Sequence, residues 1–237
     1  MLRKMLLTSF LIIAGLAAVN AGQIALTGSQ EGQSELKYIT EKILDGKTQE
    51  YSYENVGEKF PFDRLDDFTL IIAAVRFSNT PDQEQLKKLR SWIENGGNLI
   101  LISTAPNSFA RTPTMLDKDK LLAWAGVWKV VYKAKGINCV VQVPESPVIQ
   151  GVNLKDKPQW FKADQLIWHY RNMQNIIGNE KYCLVGFAPV NAGSVAFLGY
   201  ELNKLSTAHK DPEHKWLQII TNLINMSENP QYRHSRY

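Results

Sequence analysis

Residues Leu89 to Arg111 read LRSWIENGGNLILISTAPNSFAR. Working back, Leu86, Leu89 and Ile93 recur at helical spacing as a buried stripe. Thr80 as N-cap, Pro81 at the first helical position, Asp82 in the first turn and Gln83 completing a capping box mark the start of that helix. Gly96 and Gly97 follow the stripe and supply a residue free to take positive φ at the helix end. The chain then reverses into NLILI, an apolar strand, and leaves it through a polar turn, Ser103 to Ser108. Strand, helix, double glycine and strand make a βαβ unit, which places the sheet among the parallel ones.

The same alternation runs outward in both directions. QIALTG reads as a strand, and SELKYITEKILDGK as a helix with Ser34 as candidate N-cap and Leu36, Ile39 and Ile43 on one side. YSYENV suggests a second strand, and FTLIIAAV, Phe68 to Val75, is the uninterrupted apolar run expected of a parallel strand covered on both faces. Beyond the polar turn, Leu116 to Ala125 reads as a helix, KVVYKAK and INCVVQVP as strands, and PESPVIQGV as an extended loop. KYCLVGFAP and GSVAFLGYEL form a hairpin across Val190 to Gly193, and DPEHKWLQIITNLINM closes the fold as a helix. The expected class is α/β: a three-layer, open, mostly parallel, flavodoxin-like sheet with a late antiparallel hairpin.

The first 21 residues, MLRKMLLTSFLIIAGLAAVNA, pair Arg3 and Lys4 with a short apolar run and small residues at Val19 and Ala21. That is the pattern of a secretory signal peptide cleaved before Gly22, and it implies export to the periplasm or the extracellular space with no stable membrane anchor afterwards; the other reading is an uncleaved membrane anchor, for which the apolar run is short. Residues 22–226 are then one domain and 227–237 a loose tail. The formal net charge of +4 includes Arg3 and Lys4, and the remaining basic residues are scattered, which excludes a nucleic-acid partner as the working expectation.

Ligands of such sheets bind beyond the carboxyl ends of the strands, so candidate chemistry is sought there. Ser103 and Thr104 stand where a nucleophile elbow would be, without the flanking glycines that an elbow needs. Asn107 lies in the same turn, and Tyr200, Glu201 and His209 follow the last strand. The aromatic segment that contains Trp160, Trp168 and His169 could line a cleft in which flat rings stack on sugars, or could be core. His209, Asp211, Glu213 and His214 match no fixed ligand spacing, and Asp211 with Glu213 reads better as a cap and acidic first turn; no metal and no cofactor are expected. GSQEGQS, between the first strand and helix, matches neither glycine-rich phosphate motif and reads as a plain turn. The only cysteines, Cys139 and Cys183, sit in strand-like segments. They could form one disulfide between neighbouring strands or stay as two buried thiols.

LKKLRSWIENGGNLILISTA, SPVIQGV, GSVAFLGYEL and a last helix carrying Asn222 together resemble the class I glutamine amidotransferase-like superfamily, and within it the trehalose-utilisation (ThuA-like) domains. The resemblance spans roughly Ile24 to Met226. An active amidotransferase of that superfamily has a Cys in the elbow after the double-glycine strand, where this chain has Ser103 and Thr104. ThuA-like members tend to carry histidines at three places that here hold Ser103, Ser146 and Tyr200. The resemblance therefore implies a binding or scaffold module for a carbohydrate or protein ligand, without amidotransferase activity. A hydrolase or sugar-modifying enzyme built on Ser103 or Thr104, Tyr200, Glu201 and His209 is the alternative.

Overall fold

Every residue of Leu70–Ala74 and of Asn98–Ile102 is buried, as a strand covered on both faces requires. In the computed structural model these are β3 and β4 of a mixed sheet. The structure describes residues 23–30, 32–47, 51–74, 82–102, 125, 127–132, 138–153, 161–162, 165–169, 173–199 and 215–228. The expected signal peptide, the residues that follow Ile102 and most of the expected helix Leu116 to Ala125 lie outside those residues.

In chain order β1 is Gln23–Gly28, α1 Gln33–Ile39, β2 Ser52–Gly57, then β3, α2 Gln83–Glu94 and β4. There follow β5 Val127–Tyr132, β6 Asn138–Val141, β7 Phe161–Lys162, β8 Gln165–His169, β9 Gln174–Gly178, β10 Tyr182–Val190, β11 Gly193–Leu198 and α3 Lys215–Glu228. The sheet runs β2-β1-β3-β4-β11-β10-β9-β6-β7, with β8 also on β10 and β5 on β8. From β2 to β11 all neighbours are parallel; from β11 onward they are antiparallel. The expected α/β class holds, and the antiparallel half extends well past the single late hairpin that the sequence suggests.

Side-chain alternation divides the core in two, because successive residues of a strand face opposite sides. Ile24, Leu26, Ile72 and Ile100 pack with Leu36 and Ile39 of α1 and Ile220 and Leu223 of α3. Ala25, Ile71, Leu99 and Leu101 pack with Leu86, Leu89, Trp92 and Ile93 of α2 and with Phe60, Phe62, Leu65 and Phe68. Helices on both faces of one sheet are the three layers.

Three boundaries differ from the expected ones. The N-cap of α2 is Asp82 rather than Thr80: its side chain accepts the Gln85 N–H at 2.8 Å, while Gln85 Oε1 accepts the Asp82 N–H at 3.0 Å. The reciprocal pair satisfies two donors that the first turn would otherwise leave open. The N-cap of α1 is Gly32, and Ser34 lies inside the first turn with its hydroxyl donating to Glu35. At the other end α3 runs to Glu228, two residues into the segment expected to be tail. PESPVIQGV also departs from a plain extended loop, since Pro147–Ile149 forms a 3-10 turn.

The double glycine does what was expected and one thing more. Gly96 takes φ 117° just past the end of α2, a conformation that a side chain would oppose. Gly97 is constrained by contact: a Cβ there would stand 2.2 Å from the Trp92 indole, whose N–H donates to the Phe68 carbonyl at 3.1 Å. The helix therefore turns back onto the sheet with the indole pressed on bare backbone.

Candidate functional site

Register fixes which strand ends share a rim. Ala74 of β3 is opposite Ile102 of β4, and Ile102 is opposite Leu198 of β11. Three parallel strands therefore end at one level, at Ala74, Ile102 and Leu198. This is the carboxyl edge at which open α/β sheets bind their ligands.

Next along this edge, β1 ends in Gly28, opposite Ala74. The turn that follows is closed in on itself. The Gly32 and Gln33 N–H groups both donate to the Ser29 carbonyl, at 2.8 and 3.0 Å, and the Gln33 side-chain amide donates to the Gly28 carbonyl at 2.8 Å. Asn55 of β2 holds Gln33 from the far side at 2.8 Å. Cβ atoms on Gly28 or Gly32 would fall 2.4 or 2.3 Å from the Ala74 carbonyl oxygen. The Gly32 and Gln33 amides are thus taken up locally, and the two glycines let this turn pack directly on the end of β3.

Ser103, Thr104, Asn107, Trp160, Tyr200, Glu201 and His209 all lie outside the described residues. Of Trp168 and His169 the structure gives the backbone: both belong to β8, with Trp168 opposite Tyr182 and His169 opposite Val127, in the antiparallel half. Ser146 is buried and caps the Pro147–Ile149 turn, its hydroxyl oxygen accepting the Val148 N–H at 3.4 Å. Asn222 of α3 clamps the same turn by donating to the carbonyls of Val148 at 2.9 Å and Gln150 at 2.7 Å, while Gln218 holds the Asn222 carbonyl at 2.8 Å.

The cysteines are two free, buried thiols. They do not stand on neighbouring strands: β9 runs between β6, with Cys139, and β10, with Cys183. Two strand spacings come to about 9.6 Å, beyond the roughly 7 Å that a disulfide spans. Burial pushes the Cys139 thiol up to about 11 and Cys183 well above its ordinary value. A thiol that does not ionise near neutrality is a poor nucleophile. Among the described residues no group of three His, Cys, Asp or Glu side chains could hold a metal ion, and no helix is long and apolar enough to cross a membrane.

At the opposite, amino end of the sheet, sequence reading foresaw nothing, and two features are built there. Asn98, fully buried at the start of β4, donates its side-chain amide to the carbonyls of Thr69, Gly96 and Ser227 and accepts the Ser194 hydroxyl. Beside it a depression of about 780 Å³ opens between α2 and the segment Phe62 to Thr69. Its signal in sequence is faint, since it is assembled from a loop and a helix face that each look ordinary alone.

No family model matches the chain, and no curated protein matches its sequence. Solved structures do share the fold. A cytoplasmic protein from Salmonella typhimurium LT2 superposes with TM-score 0.59 at 14% identity, covering 87% of this chain and 100% of the other. A protein described as ThuA-like from Bacteroides uniformis does so with TM-score 0.54 at 11% identity, over 86% and 90%. An exo-β-1,4-mannosidase from an Opitutaceae bacterium gives TM-score 0.51 at 15% identity, over 89% of this chain and 36% of the enzyme. Identities this low speak to the fold and to nothing finer.

Proposed function

We propose that this chain is an exported, ThuA-like binding module whose ligand, a carbohydrate, docks at the carboxyl edge formed by β3, β4 and β11. The observation that carries the reading is the register Ala74–Ile102–Leu198, which sets three strand ends around one rim with Ser103 and Thr104 next in sequence after Ile102. A glutaminase elbow would need a Cys there, and both cysteines of the chain are buried in the antiparallel half. The leader-like first 21 residues support export. The sugar link draws support from the ThuA-like and mannosidase structures of the same fold.

Three measurements test the reading. Expressed in full in a secreting host, the protein is expected to be recovered outside the cytoplasm with Gly22 as its first residue. The purified protein is expected to release no ammonia from glutamine and to bind a member of a panel of neutral mono- and disaccharides in calorimetry. Glutamine turnover would overturn the module reading, a cytoplasmic chain that keeps Met1 would overturn export, and a panel without a binder would overturn the sugar.

A further inference from the structure

The depression at the amino end of the sheet belongs to none of the chemistry above. Its volume, about 780 Å³, falls within the range of roughly 300–1,000 Å³ typical of small-molecule sites. Phe62, Leu65, Phe68 and Trp92, all largely buried, give it an apolar floor. Its rim is polar: Asp63 and Asp66 on one side, Lys88, Ser91 and Asn95 of α2 and its C-cap on the other.

The walls are held in place. Arg64 forms a bidentate pair with Glu54 of β2 at 2.9 Å, pairs with Asp67 at 2.9 Å, and lies 5.2 Å from the centre of the Phe68 ring. The Trp92 indole fastens the Phe68 carbonyl, and Asn98 fastens that of Thr69. A loop tied at four points loses little freedom when something binds to it.

Within this pinned frame the rim keeps hydrogen-bonding groups in reserve. Asp67 is taken up by Arg64, whereas Asp63 and Asp66 have no hydrogen-bond or ion-pair partner among the described residues. Lys88 is paired only with exposed Glu84 one turn away at 3.2 Å, a contact of little worth in water. The carboxylates accept and the ammonium donates, while the Asn95 amide gives one N–H to the Ser91 hydroxyl at 3.4 Å and has a second to offer, and that hydroxyl keeps its own proton to donate. A charged ligand would be drawn by one side of the rim and repelled by the other. A molecule with many hydroxyls, each both donor and acceptor, meets both sides, and its C–H faces meet the floor.

We infer that this depression is a binding site for a neutral polyhydroxylated ligand of one or two sugar rings, distinct from the carboxyl-edge site and independent of that reading. The test is amide and indole NMR of the purified protein titrated with methyl pyranosides of glucose, galactose and mannose and with neutral disaccharides. Saturable shifts are expected at the Trp92 indole, the Asn95 side chain, Gly96 and Gly97. Asp66→Asn and Asp63→Ala are expected to weaken the best binder about tenfold or more, the loss of a charged hydrogen bond, and Lys37→Ala on α1 to leave it unchanged. These variants are at exposed positions, and their unfolding midpoints establish that they fold. Shifts confined to Ala74, Ile102 and Leu198 would place the sugar at the carboxyl edge and overturn this inference while sparing the other. No saturable shift with any sugar of the panel would overturn it too.

Discussion

The Ser194 hydroxyl donates to the Asn98 side-chain carbonyl at 2.8 Å, and neither residue is more than 1% exposed. The pair joins the first residue of β4 to the second of β11, the later strand of the antiparallel hairpin, while the Asn98 amide reaches the end of α3 through Ser227 at 3.0 Å. One side chain thus ties both halves of the sheet to its closing helix. Asn98→Leu is expected to cost on the order of 3 kcal/mol, because buried carbonyls and a hydroxyl are left without partners. Ser194→Ala removes one bond and is expected to cost about 1 kcal/mol. Urea unfolding of both variants measures this, and equal losses would show that the bond between them, not the hub, matters.

A second relation is steric. Gly193 lies against Gly97 and Ile93, so that a Cβ on it would fall 2.1 Å from both carbonyl oxygens, whereas a Cβ on Gly97 would meet the Trp92 ring. Backbone cannot swing aside as a side chain can. Gly193→Ala is therefore expected to destabilise by about 2 kcal/mol or more, and Gly97→Ala by a similar amount. Only the second should be relieved by trimming Trp92 to Leu, seen as a favourable coupling in a double-mutant cycle. Relief of Gly193→Ala by the same change would contradict the geometry.

The helix before that double glycine shows how much of the fold the sequence carried. Its stripe, its glycine stop and the strands on either side are local signals, and all are found, the strand before it as Leu70–Ala74 within the expected Phe68 to Val75. The cap shifted because Thr80-Pro81-Asp82-Gln83-Glu84-Gln85 offers two overlapping boxes, Thr80 with Gln83 and Asp82 with Gln85, and spacing alone does not choose between them. What stayed illegible is non-local. That β9 separates the two cysteines, that Asn98 gathers Thr69, Ser194 and Ser227, and that α2 faces Asp63 and Asp66 across a depression all depend on strand order. The candidate site shares this character: the rim at Ala74, Ile102 and Leu198 exists only through the register of three strands far apart in sequence.

The buried thiols predict how stability responds to alkali. Folding raises the Cys139 pKa from 9.0 to about 11, and that of Cys183 also rises. Above pH 9 the unfolded chain gives up a proton that the folded chain keeps, so stability present below pH 9 is lost as pH climbs towards 11. Cys139→Ala is expected to flatten this fall, measured as urea midpoints from pH 7 to 11; an unchanged slope would assign the loss to other groups. In the folded protein at pH 8 both thiols should resist iodoacetamide, and the mass should be the same with and without reductant.

Ser146 stands where the ThuA-like resemblance places an imidazole, and the structure gives that position a different task. The residue is 2% exposed, its hydroxyl caps Pro147–Ile149, and Asn222 holds the next carbonyls, so the space is filled and the backbone committed. An imidazole at this position would overpack the turn. Ser146→His is accordingly expected to lose about 1–3 kcal/mol and to confer no hydrolytic activity, while Ser146→Ala loses about 1 kcal/mol with the capping bond. Asn222→Ala should lower hydrogen-exchange protection across Ser146–Val152 without touching β4. A Ser146→His protein as stable as the parent would mean that the place is open after all.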